Sequence, residues 1–154
     1  WDRQCRIVTA VAGLVNDSNQ GIKPSEDGWT LSHQLAHIHQ VRREWLGQVD
    51  PVRAATLGDT FVNGWEDHIY DLDLIREHLS ASAAAIRAAV SDCLTEGTGP
   101  IGGYDHPILF LQHIIWHEGW HVGLISLGLR NASQEPTDVW EEENIWSEWR
   151  TEEW

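Results

Sequence analysis

Residues 72–93, LDLIREHLSASAAAIRAAVSDC, carry the clearest structural pattern in the chain. Apolar and small side chains recur alternately three and four residues apart, which is the repeat of a helix that packs along one seam against other helices. Because several of these side chains are small, a neighbouring helix is expected to approach closely. The seam positions are Leu72, Ile75, Leu79, Ser82, Ile86, Ala89 and Cys93.

Three more segments have helical periodicity. The first covers residues 2–18, and the second begins at Thr30 or Ser32, either of which is a good N-cap, and ends before Pro51. The last of the four, residues 108–129, is apolar almost all round. A helix of that composition is expected to lie in the middle of a core.

The segments between and after these helices are polar or irregular. Residues 51–70 have no clear period and are predicted to form a long connection, with at most a short helical turn in FVNGWEDHIY, residues 61–70. The acidic tail, residues 135–154, is predicted to be a short helical segment whose tryptophans fold back on the bundle. These tryptophans are Trp140, Trp146 and Trp149.

The elements together predict an all-α fold: a four-helix bundle with one long crossover and a short C-terminal helical tail. The length of 154 residues fits a single domain, residues 1–154.

The charge balance argues against two classes of partner. The chain has 24 acidic and 10 basic residues, which gives a formal net charge of −14. Phosphate backbones and anionic membrane surfaces repel such a protein, so neither nucleic acid nor a membrane is an expected partner. No apolar run reaches the ~20 residues that a membrane span needs, and the first residues lack the pattern of a signal peptide. We therefore expect a cytoplasmic protein with a small-molecule substrate.

Two groups of histidines lie on predicted helices. A lone buried histidine is more often hydrogen-bonded within a core, but a pair four residues apart that faces histidines of another helix favours a metal site. Periodicity alone does not choose which histidine of the second helix faces the pair. The groups are His33, His37 and His39 on the second helix and His113, His117 and His121 on the fourth.

The sequence WHEGWH, residues 116–121, contains the H-E-x-x-H pattern of zinc proteases. A protease of the extended type also needs a glycine and a third histidine downstream, but Leu124 and Leu127 stand at those positions. A metalloprotease is therefore the least favoured interpretation of His117 and His121.

Two segments resemble the DinB-like, or YfiT-like, superfamily of four-helix-bundle metal proteins. GWTLSHQLAHIHQVRREWL, residues 28–46, is similar to the second-helix segment of the family, and LQHIIWHEGWHVGLI, residues 111–125, is similar to its C-terminal helix segment. The resemblance implies a three-histidine site for zinc or nickel, with His37, His117 and His121 as ligands. His33 and His39 are the alternatives to His37.

The chain departs from the family pattern after the last histidine. Many members have Arg-Gly-Gln where this chain has Val122-Gly123-Leu124, so contacts made by those polar side chains do not transfer. Members often pair into homodimers, and the apolar fourth helix suits either a homodimer or a helix enclosed within one chain.

The resemblance also implies an activity. Characterised members include thiol-dependent S-transferases and a thiol-dependent maleylpyruvate isomerase, so the expected function is a metal-dependent transferase or isomerase with a low-molecular-weight thiol as co-substrate. Glu118 is a candidate catalytic base, although it points about 100° away from His117 on the helix. A metal-dependent hydrolase and a non-catalytic structural or sensing metal site are the alternatives.

Overall fold

The computed structural model describes residues 1–97 and 100–150. Residues 98–99, and residues 151–154 of the predicted tail, lie outside the described residues. The described chain is mostly helical, which confirms the all-α prediction. Its elements are α1 (Asp2–Leu14), α2 (Leu31–Val49), α3 (Pro51–Ala54), β1 (Phe61–Val62), β2 (Asp67–His68), α4 (Leu72–Glu96), α5 (Pro107–Asn131) and α6 (Asp138–Glu141), which continues as a π turn (Glu142–Trp146) and a 3-10 turn (Ser147–Trp149).

The four long helices form the bundle. α1 and α2 each pack against both α4 and α5. Their buried side chains form two apolar clusters, one nearer each end of the bundle. The first includes Val11, Leu35, Ile38, Ile75, Leu79 and Ile125, and the second includes Leu46, Ile86, Phe110 and Ile114.

A buried polar layer separates the two clusters. Arg42 on α2, Ser82 on α4 and Glu118 on α5 are buried polar residues that lie in sequence between members of the two clusters, and Gln4 is their counterpart on α1. Glu118 Oε1 accepts a hydrogen bond of 2.6 Å from Arg42 Nε, and Glu118 Oε2 accepts bonds of 3.0 Å from Arg42 Nη2 and Gln4 Nε2. Arg42 Nη1 donates to the carbonyl oxygen of Leu79 at 2.8 Å. One ion pair thereby joins all four long helices.

The predicted position of α5 in the middle of the core is wrong. Only one side of α5 is buried, whereas Trp116 and Trp120 are 68% and 61% exposed. The apolar residues of this helix lie on two faces. One face packs in the bundle, and the adjacent face exposes large aromatic side chains to solvent.

The long connection predicted for residues 51–70 is present, but its internal structure differs from the prediction. It contains α3 and a small antiparallel hairpin in which Phe61 pairs with His68 and Val62 with Asp67, rather than a helical turn. Asn63 and Gly64 have φ angles of 54° and 73° at the hairpin turn, a conformation that Asn and Gly adopt most readily. An Asn-Gly pair between apolar residues was the sequence signal for this hairpin.

The tail folds back on the bundle in part. Trp140 packs against the first apolar cluster, and Arg6 of α1 makes a two-pronged ion pair with Glu148. Trp146 and Trp149 stay exposed, so the predicted packing is confirmed for Trp140 alone.

Within the described residues, no helix combines the length and the apolar character needed to cross a membrane.

Candidate metal centre

The structure brings His37, His117 and His121 together. His37 lies near the middle of α2, and the other two lie one turn apart on the facing side of α5. His117 Nε2 is 3.2 Å from His37 Nε2 and 3.1 Å from His121 Nε2, and the ligating atoms of the group all lie within 4.8 Å of one another.

These separations suit a shared metal ion. Two imidazole nitrogens bound to one tetrahedral zinc at ~2.05 Å lie about 3.3 Å apart. Hydrogen bonding explains the cluster less well, because a single proton on His117 Nε2 can serve only one of its two neighbouring nitrogens. A cation between the three lone pairs would satisfy all of them, so the donor set fits a divalent metal.

Burial keeps the three imidazoles in the form that binds metal. Burial and the neighbouring His117 lower the pKa of His37 to about 4, and burial followed by the charge of His37 lowers the pKa of His121 to about 3. Burial also lowers the pKa of His117. All three rings are therefore neutral at pH 7 and offer a free lone pair.

Gln34 orients His121. The His121 Nδ1 donates a hydrogen bond to Gln34 Oε1 at 2.5 Å, which leaves the lone pair on Nε2, the atom that faces the other histidines. Gln34 and His37 are three residues apart on α2 and so share the face toward α5. The helix begins where it does because Thr30 Oγ1 accepts from the backbone nitrogen of His33, which confirms Thr30 as the N-cap.

We expect Gln34→Leu to weaken metal binding about 10- to 100-fold, since residues that hold a ligating histidine in place have effects of that size. Competition with a chelator dye on the purified protein measures this change. Gln112→Leu is the matched control, because Gln112 is an exposed glutamine on α5 outside the site. Unchanged affinity in Gln34→Leu would show that His121 needs no such partner.

Tryptophan rings surround the three histidines. His37 lies between Trp29 and Trp65, with ring centroids 4.9 and 5.3 Å away, and the Trp45 ring lies 5.2 Å from that of His117. These indoles lower the local polarity, which strengthens any electrostatic interaction at the site.

The histidines form the floor of an open pocket of about 540 Å³. One wall is the segment from Pro24 to Trp29, and the other is Trp116, Trp120 and Leu124 of α5. Gly128 allows α5 to pack closely on the start of α2, since a Cβ at this position would lie 2.8 Å from Leu31 Cδ2.

The alternative histidines lie elsewhere. His39 is fully buried and its Nε2 donates to the carbonyl oxygen of Gly58 at 2.9 Å. His33 stacks on Trp29, and His113 contacts the hydroxyl of Tyr104, so none of the three joins the metal-ligand group.

Glu118 points away from the histidines into the polar layer. Its carboxylate is fully buried and bound by Arg42 and Gln4. The catalytic role of Glu118 stays a prediction, and its contacts are those of a residue that fixes α5 against α1 and α2. The protease interpretation needs this carboxylate beside the metal.

Four residues of the site, and the Arg42–Glu118 ion pair, were not predicted from the sequence. These residues are Gln34, Trp29, Trp116 and Trp120. A signal for the pair was present. Arg42 and Glu118 both occupy seam positions of their helices, where residues at the same spacing are apolar. Opposite charges at seam positions of two helices predict a buried pair, because neither charge is stable there alone.

A helical bundle that gathers three neutral imidazoles from two helices at the floor of a pocket has a group of side chains that could hold a divalent metal ion. The sequence model of the DinB family matches residues 1–153, and the chain belongs to this family. No curated protein and no solved structure matches the chain.

Proposed function

We propose that this protein is a metal- and thiol-dependent transferase or isomerase whose zinc or nickel ion is held by His37, His117 and His121. The observation that carries the proposal is the open side of the site. The metal-ligand group found in the described chain has three members, and these members line a pocket that a small molecule can enter. Structural zinc sites have four protein ligands, whereas catalytic sites keep one position open.

When bound, the metal supplies a Lewis acid that favours the deprotonated form of a thiol. In the transfer reaction a thiol R–SH and an electrophile R′–X give R–S–R′ and HX. The sulfur–carbon bond forms as the carbon–X bond breaks, X leaves with the bonding electron pair, and the thiol proton passes to solvent.

The side chains of the site have separate roles in this proposal. Gln34 holds His121 in the tautomer that presents Nε2. Trp29 and the α5 tryptophans line the space that the electrophile would occupy. The pocket volume of about 540 Å³ accommodates a thiol and a small electrophile rather than an extended peptide.

The test is metal-dependent thioether formation. Zinc-loaded and nickel-loaded protein are incubated with iodoacetamide and a set of low-molecular-weight thiols, and the thioether product is quantified by mass spectrometry. We expect product formation above the uncatalysed rate for at least one thiol, with loss of this activity after chelation and in His117→Ala.

His113→Ala is the matched control, because His113 is one turn before His117 on α5 and outside the metal-ligand group. Hydrolysis of p-nitrophenyl esters without any thiol would instead support the hydrolase. A stoichiometric metal that accelerates neither reaction would support a structural or sensing site. The homodimer, one of the two arrangements that the apolar α5 suits, is not tested by this structure.

A further inference from the structure

The pocket walls carry information about the substrate that the histidines do not. We infer that the electrophile of the reaction proposed above carries a flat, uncharged apolar group that lies against Trp116 and Trp120, and that anionic groups are disfavoured at the mouth of the pocket. This inference rests on the proposed function only in identifying the ligand as an electrophile. The binding preference of the pocket depends on its walls alone.

The exposed indoles of Trp116 and Trp120 make no contribution to the apolar core of the bundle. The rings of Trp116 and Trp120 lie 6.1 Å apart on successive turns of α5 at an interplanar angle of 37°. Both are mostly exposed, and neither belongs to an apolar cluster of the core. Two adjacent indoles at the mouth of a pocket are suited to stack on a flat apolar group of a ligand.

The opposite wall is held in place. Asn131 Nδ2 donates to the carbonyl oxygen of Pro24 at 2.9 Å, and the backbone nitrogen of Leu31 donates to the carbonyl oxygen of Ile22 at 2.9 Å. Trp29 is further fixed by stacking on His33 at 4.4 Å. The slot between the two walls is therefore largely formed before a ligand enters.

The charges of the pocket act against anions. Asp27 is the one formally charged side chain among the described residues that line it, and no lysine or arginine is among them. Asp27 is exposed, so it lies toward the mouth, whereas the histidines lie at the floor. At the mouth a carboxylate, sulfonate or phosphate of the ligand meets Asp27 and a protein of charge −14, whereas the positive charge of a bound metal would act at the floor.

Two probes of nearly equal shape test the inference. 2-(Methylsulfonyl)naphthalene is neutral and naphthalene-2-sulfonate is anionic, and both are poor zinc ligands. Their dissociation constants with metal-free protein are measured by calorimetry at low ionic strength, so that the charge of a bound metal does not oppose that of Asp27. We expect the neutral compound to bind about fivefold more tightly, as expected for one carboxylate near the rim.

Substitutions in the two pocket walls test whether these residues cause the difference in affinity between the probes. Asp27→Asn is expected to bring the two dissociation constants closer by tightening the sulfonate, and Trp120→Ala to weaken the neutral probe about tenfold through loss of the aromatic contact. Trp146→Ala is the control, because Trp146 is similarly exposed at 54% but lies outside the pocket. Thermal unfolding of each variant verifies that the fold is intact.

Three outcomes overturn the inference: equal or tighter binding of the sulfonate, no measurable binding of either probe, or the same loss in Trp146→Ala as in Trp120→Ala. The binding experiment includes no thiol and no reaction. Its failure therefore leaves the proposed chemistry standing, and failure of the thiol assay leaves a measured binding preference intact.

Discussion

Replacement of Glu118 by alanine is expected to lower the free energy of unfolding by about 3–5 kcal/mol, the cost of leaving one member of a buried ion pair without its partner. In this variant the Arg42 guanidinium would stay buried between helices with only the Leu79 carbonyl oxygen as an acceptor. Gln4 would also lose its acceptor. Urea denaturation of metal-free protein measures the effect without any contribution from metal binding.

The double variant R42M/E118L shows whether stability depends on the ion pair itself or on filling the buried space that it occupies. Well-packed apolar side chains often replace a buried ion pair at little cost, so the double variant is expected to be more stable than either single variant. Asp92→Ala is the surface control. Its carboxylate accepts from Arg53 at the same 2.6 Å, but both side chains are exposed to solvent, and little change is expected. A Glu118→Ala protein as stable as Asp92→Ala would refute the role of the polar layer.

Zinc is expected to stabilise the wild-type protein and to have no effect on the stability of His117→Ala. A ligand that binds only the folded state adds about 4 kcal/mol when its free concentration is 1,000 times the Kd. His117 is the informative residue, because its Nε2 is the atom next to both other ligating nitrogens. The measurement is the free energy of unfolding in urea at several buffered zinc concentrations.

His37→Ala tests whether the metal links the two helices. Because His37 is the only member of the group on α2, its loss leaves a pair on α5 and is expected to remove most of the zinc-dependent stabilisation. His113→Ala should respond to zinc like the wild type. Zinc-dependent stabilisation of equal size in His117→Ala and the wild type would place the metal elsewhere.

Sequence spacing was sufficient for the features that depend on a single helix. The seam of α4 follows from local periodicity, and the start of α2 was predicted to within two residues, with Thr30 and Ser32 as the candidate caps. His117 and His121 share a face because they are one turn apart, whatever the rest of the bundle does.

The choice of His37 over His39 needed the tertiary structure. α2 is rotated about its axis so that Arg42 meets Glu118 in the polar layer, and this rotation leaves His37 toward α5 and His39 toward Gly58. Periodicity describes the pattern on α2, but it contains no information on which neighbour each face meets. The family resemblance had supplied that choice from outside the pattern.

The role of α5 is the second feature that only tertiary structure decided. By composition its apolar side chains belonged in a core, yet Trp116 and Trp120 form the wall of a pocket. Burial within a bundle and the lining of a binding site select the same residue types, since both reward apolar surface that leaves water. A sequence therefore determines that such a surface exists, and the packing of its neighbours determines whether the protein or a ligand covers it.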